Sequence, residues 1–363
     1  MALRLSALAG GGVTIGQAVF LEDTQPSDLT IYGRRYLQSG NIETDDTLFD
    51  TSIFTSRHEV NKVIHTTTFA GTSPRGLEFG AGVYVLVGDN GNISTSTDLV
   101  TWTDRSNPFG SEWCYCIKFL GGQFIIGGQS GSVMTSPDGI TWTERTSPIT
   151  QALYGFAIND SNDMIVGVAN SGKIISSPDG ITWTERTSGS AYSFRGIVFG
   201  AGIFVGAGLS GLVATSPDGI TWTVQTSGFA SSSIYAVGYH NGVFITTGAS
   251  SKSGTSVDGI NWDVLSNLPY ICYSLRSIEG EATILGGCVS GVLVKTYDGI
   301  TWTVIETSVF GDTSLLFDMV MTEDTLAIST TNNTNVVEFD RSLYAGSTIA
   351  HAENGENQYV RIS

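Results

Sequence analysis

The chain has 363 residues, of which 45 are glycine and only 14% are charged. Average proteins contain about 7% glycine and about 25% charged residues, so this composition disfavours a helical bundle or an alternating strand–helix enzyme and favours an all-β protein with many tight turns. The formal net charge of −17 argues against binding nucleic acid through its phosphates and against attraction to anionic lipid.

Residues 1–60 differ in pattern from the rest of the chain. They begin with MALRLSALAGGG, an apolar run too short for a secretory signal. The segment DLTIYGRRYLQSG has alternating strand character with a turn at Gly33–Arg34. No stretch of the chain reaches the ~18–20 apolar residues that cross a bilayer. We therefore predict a small β-rich N-terminal segment at 1–60, no signal peptide and no membrane insertion.

A repeat of about 40 residues organises the remainder. The sequence SPDGITWTERTS occurs at Ser136–Ser147 and again at Ser177–Ser188, and related copies begin at Ser96, Ser216, Ser256 and Thr296. Six tryptophans mark the phase with spacings of 40, 41, 39, 40 and 40 residues: Trp102, Trp142, Trp183, Trp222, Trp262 and Trp302. A weaker seventh copy follows, with Asp340 and Tyr344 lying 42 residues beyond Asp298 and Trp302.

Each repeat has room for four short strands and no helix. In the PDG turn, proline presets φ, aspartate binds the backbone and glycine supplies a positive φ. Seven such units predict a seven-bladed β-propeller over residues 61–363; the alternative is an open solenoid with capping units. Residues 61–68 (NKVIHTTT), or the terminal NQYVRIS, are candidates for the strand that completes the weak seventh sheet.

The tryptophans and cysteines are predicted to be structural. A tryptophan that recurs once per unit beside a tight turn is expected to pack between adjacent blades. Cys114, Cys116, Cys272 and Cys288 are too few for a disulfide scaffold, and we expect them to be small buried side chains. The four histidines, His58, His65, His240 and His351, have neither metal-ligand nor catalytic spacing, and solvated or capping roles are expected. The outer-strand arginines Arg105, Arg145 and Arg186 are also expected to be solvated.

One position per blade is a candidate ligand site. Aligning the first strands of the repeats on their shared hydrophobic residues stacks Arg75, Tyr115, Tyr154, Arg195, Tyr235 and Ser274. At the start of an inner strand, these residues would ring one mouth of the central channel, where arginine and tyrosine can bind planar polar ligands or sugars. The loop aromatics Trp113, Tyr192, Phe229 and Tyr270 could extend that surface. Alternatively, the tyrosine hydroxyls only close hydrogen bonds between blades.

Two short motifs resemble those of known protein families. The motif S-x-D-G-x-T-W resembles a shortened form of the Asp-box of BNR repeats, which is structural in sialidases and many other propellers. The stretch Tyr36-Leu37-Gln38-Ser39-Gly40 resembles a motif common in tail and tail-fibre proteins of tailed phages, which often carry propellers of this type. The second resemblance implies that residues 1–60 attach the protein to the virion and that the propeller projects.

The combined interpretation is a structural protein of a phage tail or tail fibre. Its propeller would contact a glycan or protein of the host surface, its N-terminal segment would bind other virion proteins, and it would be located in the virion. No enzymatic activity, cofactor or metal site is predicted, since no facing carboxylate pair, phosphate loop or metal-ligand spacing is recognisable. The alternatives are a BNR-like propeller glycoside hydrolase and a cellular protein-interaction scaffold.

Overall fold

The computed structural model describes residues 3–5, 62–69, 73–277, 283–307, 309, 315–322, 325–330, 335–340, 349–350 and 358–360. The chain divides into two compact units, one formed by Lys62–Arg341 and the other by Met1–Asn61 with Ser342–Ser363. In the second unit, Leu3–Leu5, Gln358–Val360 and Ile349–Ala350 form an antiparallel three-stranded sheet in that order. The rest of the predicted attachment segment 1–60 lies outside the described residues, and the predicted domain boundary stays a prediction.

Lys62–Arg341 is a seven-bladed β-propeller with four antiparallel strands in each blade, which confirms the predicted fold. The inner strands of blades 1 to 7 are Pro74–Gly80, Cys114–Leu120, Leu153–Ile158, Phe194–Gly200, Ile234–His240, Cys272–Ser277 and Leu316–Met321. The second strands are Val83–Gly88, Gln123–Gly128, Ile165–Ala169, Ile203–Gly208, Val243–Gly248, Ile284–Cys288 and Thr325–Thr330. The third strands are Ile93–Ser96, Val133–Ser136, Lys173–Ser177, Val213–Ser216, Lys252–Ser256, Leu293–Thr296 and Asn335–Asp340.

The outer strands of blades 1 to 6 are Thr103–Asp104, Thr143–Arg145, Thr184–Thr187, Thr223–Gln225, Asp263–Ser266 and Thr303–Glu306. Single 3₁₀ turns follow four second strands at Asp89–Gly91, Asn170–Gly172, Leu209–Gly211 and Val289–Gly291. None of the helical segments in the described part of the chain is long and apolar enough to cross a membrane.

The ring is closed by a strand from the beginning of the propeller sequence. Lys62–Thr66 pairs antiparallel with Asn335–Asp340 and forms the outer strand of blade 7, with His65 opposite Val336. The first of the two predicted closing segments therefore completes this sheet. The inner strands of neighbouring blades lie against one another around the whole ring, including blade 7 against blade 1. Each blade is then a complete four-stranded sheet whose remaining edges are short and protected.

The turn before each tryptophan is held by the side chains of the repeat motif. In blade 2, Asp138 Oδ1 accepts hydrogen bonds from the N–H groups of Ile140 and Thr141 at 2.8 and 2.9 Å. Ser136 Oγ donates to the same oxygen at 2.9 Å and accepts the N–H of Gly139 at 2.8 Å. Gly139 has φ = 73°, a conformation that disfavours residues with a Cβ. The predicted turn mechanism is thus present in the structure.

The tryptophans lie beside these turns and among apolar side chains. Trp142 Nε1 donates to the carbonyl of Gly139 at 3.0 Å, and all six repeat tryptophans make the same bond to the residue three positions earlier. Trp183 lies in a buried cluster that joins blade 2 (Ile125, Val133) to blade 3 (Leu153). Trp102, Trp142, Trp183 and Trp222 are buried, whereas Trp262 and Trp302 are partly buried.

The outer-strand arginines do more than face solvent. The Nε atoms of Arg105, Arg145 and Arg186 donate to hydroxyl groups of the neighbouring third strand at 2.7–2.8 Å. Their side chains are partly buried, so they are only partly solvated and also bind the neighbouring strand. Each guanidinium therefore donates to a hydroxyl oxygen held in place by the neighbouring strand, in a charge-assisted hydrogen bond.

The described histidines are not solvated. His65 is buried and its Nε2 lies 2.7 Å from Glu338 Oε2 across the closing pair of strands. His240 is buried at the end of an inner strand, and its Nδ1 lies 2.6 Å from Ser277 Oγ in the next blade. Both rings therefore join strands, contrary to the predicted solvated or capping role. His58 and His351 lie outside the described residues.

Two of the four cysteines are free thiols, and the other two are bonded to each other. Cys114 and Cys116 are buried free thiols, as predicted. Cys272 and Cys288 are directly opposite each other in adjacent strands of blade 6, and their sulfur atoms are bonded. The prediction of four thiols is wrong for this pair because residues 16 apart along the chain become neighbours only when the strands pair.

Candidate functional site

The inner strand of each blade contains a β-bulge near its start, where pairing with the second strand skips one residue. The skipped residues are Arg75, Tyr115, Tyr154, Arg195, Tyr235, Tyr273 and Phe317. A bulge takes its extra residue out of the regular ladder and redirects the side chain. The five residues predicted as a ligand site therefore occupy equivalent positions in blades 1 to 5, at the end of the channel where the inner strands begin.

The assignment in blade 6 was wrong by one residue. Ser274, which the sequence alignment placed in this series, is buried, and its Oγ donates to the carbonyl of Leu316 at 3.4 Å. Tyr273 occupies the bulge instead. The error arose because the alignment followed hydrophobic residues, whereas the strand pairing makes Cys272 equivalent to Cys114 of blade 2 and Tyr273 equivalent to Tyr115.

Four of these residues and one loop aromatic form a continuous stack, here called the belt: Arg75, Trp113, Tyr115, Tyr154 and Arg195. The guanidinium carbon of Arg75 lies 5.1 Å from the Trp113 ring centroid and 5.5 Å from that of Tyr115. The Tyr115 and Tyr154 rings follow at 5.2 Å. The guanidinium of Arg195 lies 4.4 Å from the Tyr154 ring. Cations and rings thus contact one another across blades 1 to 4.

The two arginines of the belt have different partners. Arg75 Nε and Nη2 donate to the two carboxylate oxygens of Asp89 at 2.7 and 3.3 Å, a forked pair that fixes the guanidinium. Within the described residues, no carboxylate pairs with Arg195. Its donors are therefore available to an acceptor from outside the chain, and its face is held on Tyr154.

Two tyrosines at this end of the channel, Tyr115 and Tyr273, keep their protons at neutral pH. Burial, followed by the neighbouring Tyr154, raises the pKa of Tyr115 above its usual value. Burial and Tyr235 raise the pKa of Tyr273 in the same way. Tyr235 and Tyr273 form a separate stack, with ring centroids 4.5 Å apart and planes 20° from parallel. The phenols of Tyr115 and Tyr273 can therefore donate hydrogen bonds at neutral pH.

The loop aromatics divide between the surface and the core. Trp113 belongs to the belt, Tyr192 is 57% exposed, and Tyr270 is partly buried. Phe229 is fully buried, in a cluster with Ile234 and Phe244. The prediction that Phe229 extends the ligand surface is therefore wrong, because its ring fills the space above Gly254, where an added Cβ would lie 2.7 Å from it.

Deeper in the channel, four charged side chains form a cluster that the sequence patterns did not reveal. The charge cluster consists of Glu78, Lys118, Arg276 and Asp318, from the inner strands of blades 1, 2, 6 and 7. Glu78 accepts from Arg276 Nη2 at 2.8 Å and from Lys118 Nζ at 3.2 Å. Lys118 Nζ also lies 3.8 Å from Asp318 Oδ2. These ion pairs join both sides of the junction where the ring closes.

The electrostatic balance of this cluster keeps its buried carboxylate ionised. Burial alone would raise the pKa of Glu78, but the charges of Arg276 and Lys118 and their hydrogen bonds lower it below its usual value. The pKa of Arg276 is raised by Glu78 and Asp318 against the opposing effect of burial. Removing only one partner of a buried ion pair strongly destabilises the folded state, because the other charge is left without compensation.

A signal for the cluster was present in the sequence. Glu78, Lys118 and Arg276 each lie three residues after the bulge of their blade, where blades 3, 4, 5 and 7 have Ala157, Val198, Gly238 and Val320. Single charges at one position of otherwise apolar inner strands indicate mutual pairing inside the channel. Asp318 could not be found in this way because it lies one residue after its bulge. No group of three or more possible metal ligands occurs among the described residues.

Comparisons with known proteins support the fold. A protein-family model described as "DUF6242 beta propeller domain" matches residues 66–194, which is 129 of the 363 residues. No curated protein matches the chain. Similar solved structures include YCF48 bound to D1 peptide, at 15% identity and a TM-score of 0.61, with 77% of this chain and 94% of that chain covered.

Two further structures show how varied such propellers are. A virginiamycin B lyase from Staphylococcus aureus, solved with quinupristin, has 11% identity and a TM-score of 0.69, with 78% of this chain and 99% of that chain covered. The RRP9 WD40 repeats have 9% identity and a TM-score of 0.62, with 76% and 97% covered. At these identities the likeness shows the β-propeller fold alone, because one fold supports unrelated functions.

Proposed function

We propose that the chain is a non-enzymatic recognition protein that binds a glycan through the belt at the start of the inner strands. The observation that carries this proposal is the position of Arg195, which is stacked 4.4 Å over Tyr154 and has no carboxylate partner among the described residues. Its planar guanidinium offers donors to hydroxyl or carboxylate groups, and the adjoining rings offer flat apolar faces to a sugar.

The biological setting of this proposal rests on sequence resemblance. The shortened Asp-box motif and the stretch Tyr36–Gly40 resemble tailed-phage tail proteins, so we place the chain in the tail of a virion. In this proposal residues 1–60 bind other virion proteins, the propeller faces the host surface, and neither a cofactor nor a metal is used. Many copies on one particle would convert weak single-site binding into strong attachment.

A glycan-array experiment on the full chain tests the belt. Arg195→Ala removes the unpaired guanidinium and should abolish selective glycan binding by the folded protein. Arg145→Ala is the matched control, since it removes the same charge from an outer strand where Arg145 binds Thr135. This control should leave binding unchanged. Equal binding by both variants, or no binding by folded wild-type protein, would contradict a glycan site at the belt.

Incorporation into particles tests the setting separately. In a tail component, the full chain should remain with purified virions through washing, whereas a chain that lacks residues 1–60 should not. Release of reducing sugar from any bound glycan would contradict the non-enzymatic part of the proposal. If the protein binds glycans but is absent from particles, the glycan-binding proposal stands and the proposal of a virion protein is contradicted.

A further inference from the structure

A cavity of about 840 Å³ lies in the channel towards the ends of the inner strands. All seven inner strands contribute to its lining. The belt begins these strands, and the level of Glu78 follows three residues later, about 10 Å along a strand at ~3.3 Å per residue. The volume falls in the range of small-molecule sites, ~300–1,000 Å³. This cavity is therefore a second place, distinct from the belt, where a ligand fits.

The two carboxylates of the charge cluster, Glu78 in the cavity wall and Asp318 behind it, have all their oxygens engaged. Glu78 Oε1 accepts from Arg276, and Glu78 Oε2 accepts from Lys118. Asp318 Oδ2 accepts from the N–H of Leu77 at 3.2 Å, and Oδ1 accepts from that of Met319 at 2.9 Å. Cations brought by a ligand would therefore have to displace existing bonds.

The cations of the same wall have donors to spare. Arg276 has five N–H donors, and among the described residues only Nη2 has an acceptor, Glu78. Lys118 has three donors, directed to at most two carboxylates. Among the charged side chains of the wall there are thus more unused donors than unused acceptors. A ligand that satisfies it must supply acceptor oxygens.

The opposite wall is apolar and open. At the level of the charge cluster, blades 3, 4 and 5 have Ala157, Val198 and Gly238, all of which line the cavity. Ala157 and Val198 contribute apolar side chains to this wall, and Gly238 contributes its backbone, since a Cβ there would lie 2.8 Å from Ile284 Cδ1 in the neighbouring blade. A ligand that spans the channel would therefore meet donors on one side and hydrocarbon on the other.

We propose that this cavity binds a small organic carboxylate with an apolar body, with the carboxylate on Arg276 and Lys118 and the body against Ala157, Val198 and Gly238. The charge assignment follows from the surplus of donors, and the apolar body follows from the composition of the facing wall. The site is independent of glycan binding at the belt, because no belt residue lines the cavity.

Isothermal titration calorimetry of the full-length protein tests the chemistry. Phenylacetate, 1-naphthylacetate and octanoate are the probes, and 2-phenylethanol and phenethylammonium are the neutral and cationic controls. At least one carboxylate should bind at millimolar concentration or below, at least tenfold more tightly than the alcohol, and the ammonium compound should not bind. Absence of carboxylate binding, or equal affinity for the alcohol, would overturn the proposal.

Two variants locate the site. Ala157→Phe fills the apolar side and should abolish carboxylate binding. The double variant Glu78→Gln and Arg276→Gln removes both members of the closest ion pair and leaves Lys118 with Asp318, 3.8 Å away. It should weaken binding at least tenfold. Arg195→Ala, in the belt, should leave carboxylate affinity within twofold. Carboxylate binding that survives in either folded cavity variant would refute the proposed location, and the double variant decides if Ala157→Phe does not fold.

Discussion

At the scale of single residues, the repeat motif is a hydrogen-bonding device that serves the backbone. The same aspartate oxygen accepts two N–H groups and a hydroxyl in six blades, as in Asp98, Asp218 and Asp298. These aspartates bond to the turn, and none of them lines the channel cavity. The motif therefore specifies the fold, which explains why its resemblance to the Asp-box carried little information about activity.

The repeated aspartates should make stability depend on acidic pH. Backbone N–H groups and the Ser177 hydroxyl lower the pKa of Asp179 below its usual value, with burial opposing them, and the other copies behave alike. In acid the unfolded chain therefore binds more protons than the folded chain. The contribution of these aspartates to the unfolding free energy has its full value above about pH 4 and is lost as the pH falls through the lower folded-state pKa.

Urea unfolding between pH 5 and pH 2.5 measures this effect. The variant Asp179→Asn should show a shallower fall in unfolding free energy than the wild type. Asp160→Asn, at an exposed loop position outside the motif, is the control and should retain the wild-type slope. Identical slopes for both variants and the wild type would remove the turn aspartates as the source of acid sensitivity.

Trp183 should be among the side chains with the largest effect on stability. It is buried, and its ring lies 5.6 Å from Phe156. Trp183→Ala should cost about 3–5 kcal/mol of unfolding free energy because it leaves a cavity between two blades. Trp302→Ala, at the equivalent but partly exposed position, should cost less. Chemical denaturation measures both, and a loss below about 1 kcal/mol at Trp183 would contradict the packing role.

At the scale of elements, the inner strands carry both candidate sites. Each strand presents its bulged residue at one end of the channel and its third following residue deeper inside, so one repeated element serves two levels. The backbone of the inner strand is similar in every blade, whereas the residue type at these two positions differs from blade to blade. Both proposals therefore place function at the positions where the repeats differ in sequence.

Blade 6 depends on a covalent link that its neighbours lack. The bond between Cys272 and Cys288 closes a loop of 16 residues, and joining residues at this separation restricts the unfolded chain by about 3 kcal/mol. Replacing both cysteines by alanine should lower the unfolding free energy by about 2–4 kcal/mol. An unchanged unfolding midpoint would contradict this contribution.

Alkylation counts the thiols independently. Burial raises the pKa of Cys114 and of Cys116 to about 12, so the folded protein should not react with iodoacetamide at pH 8. Denaturation without reductant should expose two reactive thiols, and denaturation with reductant four. Four labelled cysteines without reductant would rule out the bond.

At the scale of the whole molecule, the sequence predicted the blades well because each repeats the same turn and tryptophan. Blade 7 was the limit of this approach, since its outer strand comes from residues 62–66 and its motif is weak. The belt could be predicted because its residues align with the repeats. The charge cluster was missed because its sequence signal, a charge three residues after the bulge, occurs in only three blades and does not include Asp318. Glu78 and Arg276, 198 residues apart, approach only when the ring closes.

Ring closure should therefore control the stability of blade 7. Removal of residues 1–66 deletes the closing strand and leaves Asn335–Asp340 as an unpaired edge, with the buried Val336, Val337 and Phe339 next to solvent. Removal of residues 1–61 keeps the closing strand and is the matched control. Amide hydrogen exchange should increase in residues 325–340 for the longer deletion and not for the shorter one.

The cooperative character of the ring makes this comparison decisive. Blade 7 lies against blade 1 through their inner strands, and Lys118 in blade 2 approaches Asp318 in blade 7. Loss of the outer strand should therefore also lower the unfolding midpoint of the whole propeller. If both deletions exchange and unfold alike, the pairing of Lys62–Thr66 contributes nothing to closure, and the inner-strand contacts and ion pairs alone hold the ring.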